Sequence, residues 1–95
     1  MNPYELTFDM NDDFDLQNTT ALEFLHAKQW SRFHKHLRVQ LIQHFNLKSM
    51  SDVLHLTRDQ IFSLNWLEDA PKNKLWIIIQ KENLRRRIRD WNPGI

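Results

Sequence analysis

Five histidines, at positions 26, 34, 36, 44 and 55, are the side chains in this 95-residue chain best suited to ligate zinc or copper or to move a proton. Their spacing does not build a site. No two stand four residues apart, the separation that stacks two imidazoles on one helix face, and His34 and His36 are expected on different sides of a helix. The chain has no Cys, which removes thiolate nucleophiles, zinc-thiolate centres and disulfides together. Its single Gly, Gly94, leaves no glycine-rich loop to cradle a phosphate. No catalytic residue, metal-ligand set or cofactor is therefore assigned, and the chain reads as non-enzymatic.

The second chemical feature is basic. Lys81, Arg85, Arg86, Arg87 and Arg89 fall in one predicted helix, and such a cluster contacts phosphates in nucleic-acid binders. Consecutive arginines fan around a helix, so only Lys81, Arg85 and Arg89 share a face at i, i+4 spacing. These three are the candidate nucleic-acid contacts of an alternative reading, set against a solvated helix face. The tryptophans, at 30, 66, 76 and 91, read as core or interface anchors.

Charge is distributed unevenly. Residues 1–18 hold Glu5, Asp9, Asp12, Asp13 and Asp15 and no base, which leaves 13 bases against 7 acids in the remainder. The two parts either attract each other or meet different partners. A composition of 41% hydrophobic and 12% aromatic residues is enough to build a core, so most of the chain should fold as one small domain with an appendage. The longest uncharged apolar run, Leu75 to Ile79, is far short of the roughly 20 residues of a membrane span. The acidic start does not resemble a signal peptide, and an intracellular location is expected.

The elements follow from periodicity and punctuation. From Tyr4 to Met10, apolar Tyr4, Leu6, Phe8 and Met10 alternate with Glu5, Thr7 and Asp9, as in a half-buried strand. A lone strand cannot satisfy its own backbone, so its partner is expected from a second molecule. Asn11 to Asn18 reads as a loop. Thr20 and Glu23 have capping-box spacing and should open a helix. Leu22, Phe24, Leu25, Trp30, Phe33, Leu37, Leu41 and Phe45 recur at three and four residues, giving one long helix or two with a kink, stopped at Asn46. Ser49 and Thr57 should cap short helices burying Met50, Val53 and Leu54 and then Ile61 and Leu64, with Asn65 in the left-handed position that ends a helix. A last helix is expected from Pro71 to Arg89, burying Leu75, Ile78, Ile79, Leu84 and Ile88, with Lys72, Lys74, Lys81, Arg85, Arg86 and Arg89 mostly exposed.

The stretch Leu56-Thr57-Arg58-Asp59-Gln60-Ile61-Phe62-Ser63-Leu64-Asn65-Trp66, followed by Lys72 to Lys81, resembles the second half of a sterile alpha motif (SAM) domain. Asn65 and Trp66 stand where that family usually has Gly and Ile. From Phe45 through Trp76 the chain is most similar to SAM domains ending long isoforms of the p-fifty-three tumour-suppressor transcription factor family. The order strand, loop, helix over Tyr4 to Gln29 is similar to the oligomerisation domain of that family, in which strands pair between chains. Arg89-Asp90-Trp91-Asn92-Pro93 resembles the end of the C-terminal domain found in the alpha polypeptide of bacterial RNA polymerase. That resemblance implies an alternative fold, whose Gly-containing DNA-reading motif is missing from this chain.

The resemblance implies a mainly α fold: a SAM-like bundle of short helices with a long final helix, preceded by a β-strand and helix that pair between chains. The implied divisions are an oligomerisation element at 1–29, a SAM-like domain at 30–91 and a tail at 92–95. The implied role is a homodimer or tetramer module in the C-terminal part of a nuclear, DNA-binding transcription factor. Its expected interface comprises Tyr4, Leu6, Phe8, Met10, Leu22, Leu25, Trp30, Phe33 and Leu37, with other proteins as further partners and no membrane. Glu68 and Asp69, where RNA-binding SAM domains carry small and basic residues, would repel phosphate, so nucleic acid is the lesser reading.

Overall fold

The computed structural model describes residues 15–16 and 18–90, with side chains through 87. The strand expected at Tyr4 to Met10 and Trp91 lie outside the described residues, as do the side chains of Ile88 and Arg89. Within them the fold is mainly α: α1 Ala21–Ala27, α2 Lys35–Phe45, α3 Met50–Leu54, α4 Arg58–Phe62 and the long α5 Asp69–Asp90. The only β pairing among the described residues is an isolated antiparallel bridge between Thr20 and Ser49. It sets the N-termini of α1 and α3 side by side, with Ala21 N donating to Lys48 O at 3.1 Å and Met50 N to Thr19 O at 2.8 Å.

Three helices start where the sequence placed caps, because a short polar side chain answers backbone N–H groups that the first turn leaves unpaired. Thr20 Oγ1 accepts from Glu23 N, and the Glu23 carboxylate accepts from Thr20 N in return. Thr57 and Gln60 make the same reciprocal pair at α4. At α3, Asp52 reaches back to accept from Lys48 N at 2.8 Å and Ser49 N at 3.1 Å. Those two N–H donors, Lys48 first, hold the Asp52 carboxyl below its ordinary value of 3.8, helped by the charges of His55 and Lys48 against a small opposing effect of burial. A folded-state value below the unfolded one stabilises the fold above about pH 3.8, and that contribution is lost as pH falls through the depressed value. Acid unfolding of Asp52→Asn should therefore show a shallower loss of stability below pH 3.8 than the unsubstituted chain; equal slopes would contradict this role.

The long periodic stretch forms two helices separated by residues 28–34. Gln29 and Ser31 both take left-handed backbone, φ 58° and 52°, on either side of Trp30, and this pair turns the chain sharply. The periodicity runs on without a break because Trp30 fills a core position despite the interruption, fully buried with Phe24, Leu25 and Leu41. Leu22 and Phe33, expected to face inward, are instead 46% and 84% exposed. Phe33 lies in the loop, where helical spacing no longer dictates direction. Asn46 ends α2 as expected, in a left-handed conformation (φ 54°), with its own N–H and that of Leu47 both closing on Ile42 O. Asn65 differs from expectation: positive φ occurs among the described non-glycine residues only at Gln29, Ser31 and Asn46.

One core unites all five helices. Ala21, Phe24 and Leu25 of α1 belong to the same buried cluster as Leu41, Met50, Val53, Ile61, Leu75 and Ile79. In α5, Leu75 and Ile79 are buried and Ile78 partly so, but Leu84 is 54% exposed. Lys72 and Arg86, expected on the exposed faces, are both buried. The buried face runs Leu75, Ile79, Glu82, Arg86, so two charged side chains occupy positions that helical geometry turns inward.

Candidate functional site

The burial of two opposite charges on one apolar helix face is explained by their partners. Glu82, 2% exposed, accepts from Arg86 Nε at 3.0 Å and from Arg85 Nη2 at 2.9 Å, with Lys28 Nζ 3.5 Å from its other oxygen. Arg86 extends further to Met50 Sδ at 3.7 Å. A single carboxylate thus joins α5 to the end of α1, and its guanidinium partner reaches α3. Sequence reasoning missed this centre, although a signal was present: Glu82 is the sole acid between Asp69 and Asp90 and falls in register with Leu75 and Ile79.

A second polar lock holds the loop between α1 and α2. The Trp30 indole donates from Nε1 to Pro71 O at 2.9 Å, tying the loop to the first turn of α5. Arg38, 5% exposed, donates through Nε to Trp30 O at 2.8 Å and through Nη1 to His26 Nδ1 at 3.1 Å. Lys72 supplies a third link, its ammonium donating to Phe62 O at the end of α4, where the helix dipole favours a cation.

These locks redistribute the residues expected to carry function. Leu25 and Trp30, expected at an intermolecular surface, are fully enclosed in the chain's own core. Leu37 is partly buried against that core, whereas Leu22 and Phe33 are open to solvent. Tyr4, Leu6, Phe8 and Met10 lie outside the described residues. Of the basic face, Lys81 is exposed, the Arg85 guanidinium turns to Glu82, and the Arg89 side chain lies outside the described residues. His34 and His36, expected on different sides of a helix, meet edge to face with ring centres 6.0 Å apart, because His34 precedes α2 and is free of its periodicity. Among the described residues no group of three or more His, Asp or Glu side chains gathers to hold a metal ion.

Two of the surface grooves carry large apolar side chains. The larger, about 530 Å³, runs between the α3–α4 connection and α5 over Leu54, Leu56, Trp76 and Leu84, with Arg58 and Arg87 on its lining. The smaller, about 470 Å³, is lined by His44, Phe45, Leu64 and Trp66, where the His44 ring stands edge-on to Phe45 at 4.7 Å. No helix among the described residues is long and apolar enough to cross a membrane. No protein-family model, curated protein or solved structure matches this chain.

Proposed function

We propose that this chain is a non-enzymatic module that joins copies of itself, a homodimer or tetramer built by an intermolecular pair of Tyr4 to Met10 strands and by packing of the exposed surface of α1 and the following loop. The observation that carries this reading is Phe33, whose ring is 84% exposed on a loop pinned from within by Trp30 and Arg38. A Phe side chain left in water forgoes roughly 1.5–3 kcal/mol available on burial, and the Arg32 guanidinium 5.2 Å from the ring centre covers it only in part. Cover from a second molecule recovers that energy. Leu22, 46% exposed on α1, adds to the same argument.

The finer assignment is a SAM-like domain fused to an oligomerisation element at the C-terminal end of a p-fifty-three-like transcription factor, acting in the nucleus. Two short helices followed by a long one, after the left-handed stop at Asn46, support it. The sharing of one core by α1 and the other helices supports a single fused unit. Light scattering across a concentration series tests the assembly. The unsubstituted chain should have the mass of a dimer or tetramer, and Leu6→Asp with Phe8→Asp should give monomers. A monomeric parent, or a double variant of unchanged mass, rejects the proposal.

A further inference from the structure

An assembly of this kind leaves one of its own surfaces uncovered. Two strands related by a two-fold axis pair antiparallel, so their backbones satisfy each other, but Tyr4, Leu6, Phe8 and Met10 then project from one face of the ribbon into water. An isolated two-stranded ribbon is marginal unless that face packs on something apolar. The groove between the α3–α4 connection and α5 supplies such a surface, with Leu54, Leu56, half-buried Trp76 and Leu84, the last 54% exposed although it sits on a helix of the core.

Charge selects the same occupant. Among the described residues lining the groove there is no carboxylate, and its two charged side chains are Arg58 and Arg87. The Arg58 guanidinium is held over the Phe62 ring, 4.6 Å from its centre. The segment that must be covered carries Glu5, Asp9, Asp12 and Asp13 and no base before Asp15. A segment of net negative charge with an apolar face therefore suits an apolar floor whose charged neighbours are cations. A second copy of α5 is the poorer match, since Lys74, Lys81, Arg85 and Arg87 would bring like charges together. The fourteen residues ahead of Asp15 span about 46–50 Å when extended.

Direction decides which copy is covered. In an antiparallel pair, Tyr4 of one chain lies beside Met10 of the other and so points toward the other chain's body. We infer that the acidic segment 1–14 of one copy docks its apolar face into the α3–α5 groove of the second copy, where the positive charge of Arg58 and Arg87 attracts it. This rests on the oligomer reading and adds the place where the segment binds.

The absence of Cys makes the test specific, because any disulfide formed must involve introduced residues. Two single variants of the full chain are mixed, one Tyr4→Cys and one Leu84→Cys, incubated and mildly oxidised. The expected product is a mixed disulfide dimer joining positions 4 and 84, identified by peptide mass mapping, and reduced at least several-fold when Arg58 and Arg87 are both changed to Glu in the Leu84→Cys chain. Leu84 is largely exposed, so these surface changes leave the core intact. Two outcomes overturn the inference: no 4–84 product, or a 4–84 disulfide formed only within one chain of the Tyr4→Cys, Leu84→Cys double variant. The mass of the reduced parent chain keeps the two readings apart. A dimer without the 4–84 product refutes the groove and leaves the oligomer standing, whereas a monomer refutes both.

Discussion

Replacing Glu82 by Ala is expected to lower the unfolding free energy by about 3–5 kcal/mol, the cost typical of removing one partner from a buried ion pair. Glu82 is 2% exposed and Arg86 8%, so the guanidinium left behind can neither regain water easily nor lose its proton. Arg85 and Lys28 contribute less, since their side chains retain 28% and 21% exposure and can turn to solvent. The loss should be one of interhelical connection, because the same carboxylate ties α5 to Lys28 beyond α1 while Arg86 reaches Met50 of α3. Urea unfolding followed by circular dichroism measures it. The double variant Glu82→Leu with Arg86→Met should recover most of the loss, as the charges that remain, Lys28 and Arg85, are partly exposed and can turn to solvent. A single-variant loss below about 1 kcal/mol would place the cluster among surface pairs of little consequence.

Trp30→Ala should cost about as much, roughly 3–5 kcal/mol for a large aromatic removed from a packed core. Trp30 is fully buried, and its Nε1–H satisfies Pro71 O across 41 positions of sequence. Its placement also sustains two left-handed residues, Gln29 and Ser31, each costing about 1–2 kcal/mol without a glycine's freedom. Once the ring is gone, only hydrogen bonds to the backbone, such as Arg38 Nε on the residue-30 carbonyl, hold that turn on the core side. Trp30→Phe, which keeps apolar volume and loses the hydrogen bond, should cost less, about 1–3 kcal/mol, mainly from the unanswered carbonyl and residual space. Phe33→Ala provides the contrast. Its ring is 84% exposed, so the fold itself should change by no more than about 0.5 kcal/mol, while the mass in solution falls if that ring meets a second copy. Comparable thermal shifts for Trp30→Ala and Phe33→Ala would contradict the burial pattern.

Helix starts were legible in the sequence because capping is local. Thr20 with Glu23 and Thr57 with Gln60 are four-residue units whose hydrogen bonds need nothing from the rest of the chain. The stop at Asn46 was legible for the same reason, since an Asn tolerates left-handed backbone wherever the chain requires it. Spacing at three and four residues allowed one long helix or two, and the chain takes two. The inward direction expected of Phe33 failed because that spacing runs on through a turn, whereas Leu22 lies within α1 on its half-exposed side. Trp30 satisfied that spacing while sitting in a turn.

Composition and local pattern by themselves determined a mainly α chain, the order of its short helices, a long basic final helix and most of the apolar residues that build its core. Tertiary structure decided which charges enter that core. Whether Arg86 is a surface cation or a buried clasp depends on Glu82 lying one turn before it and on Met50 arriving from another helix. Whether Trp30 faces a partner or its own core depends on Pro71 and Arg38 meeting it from distant positions. Such choices rest on contacts between residues far apart in sequence, whose free energies exist only once the helices have packed.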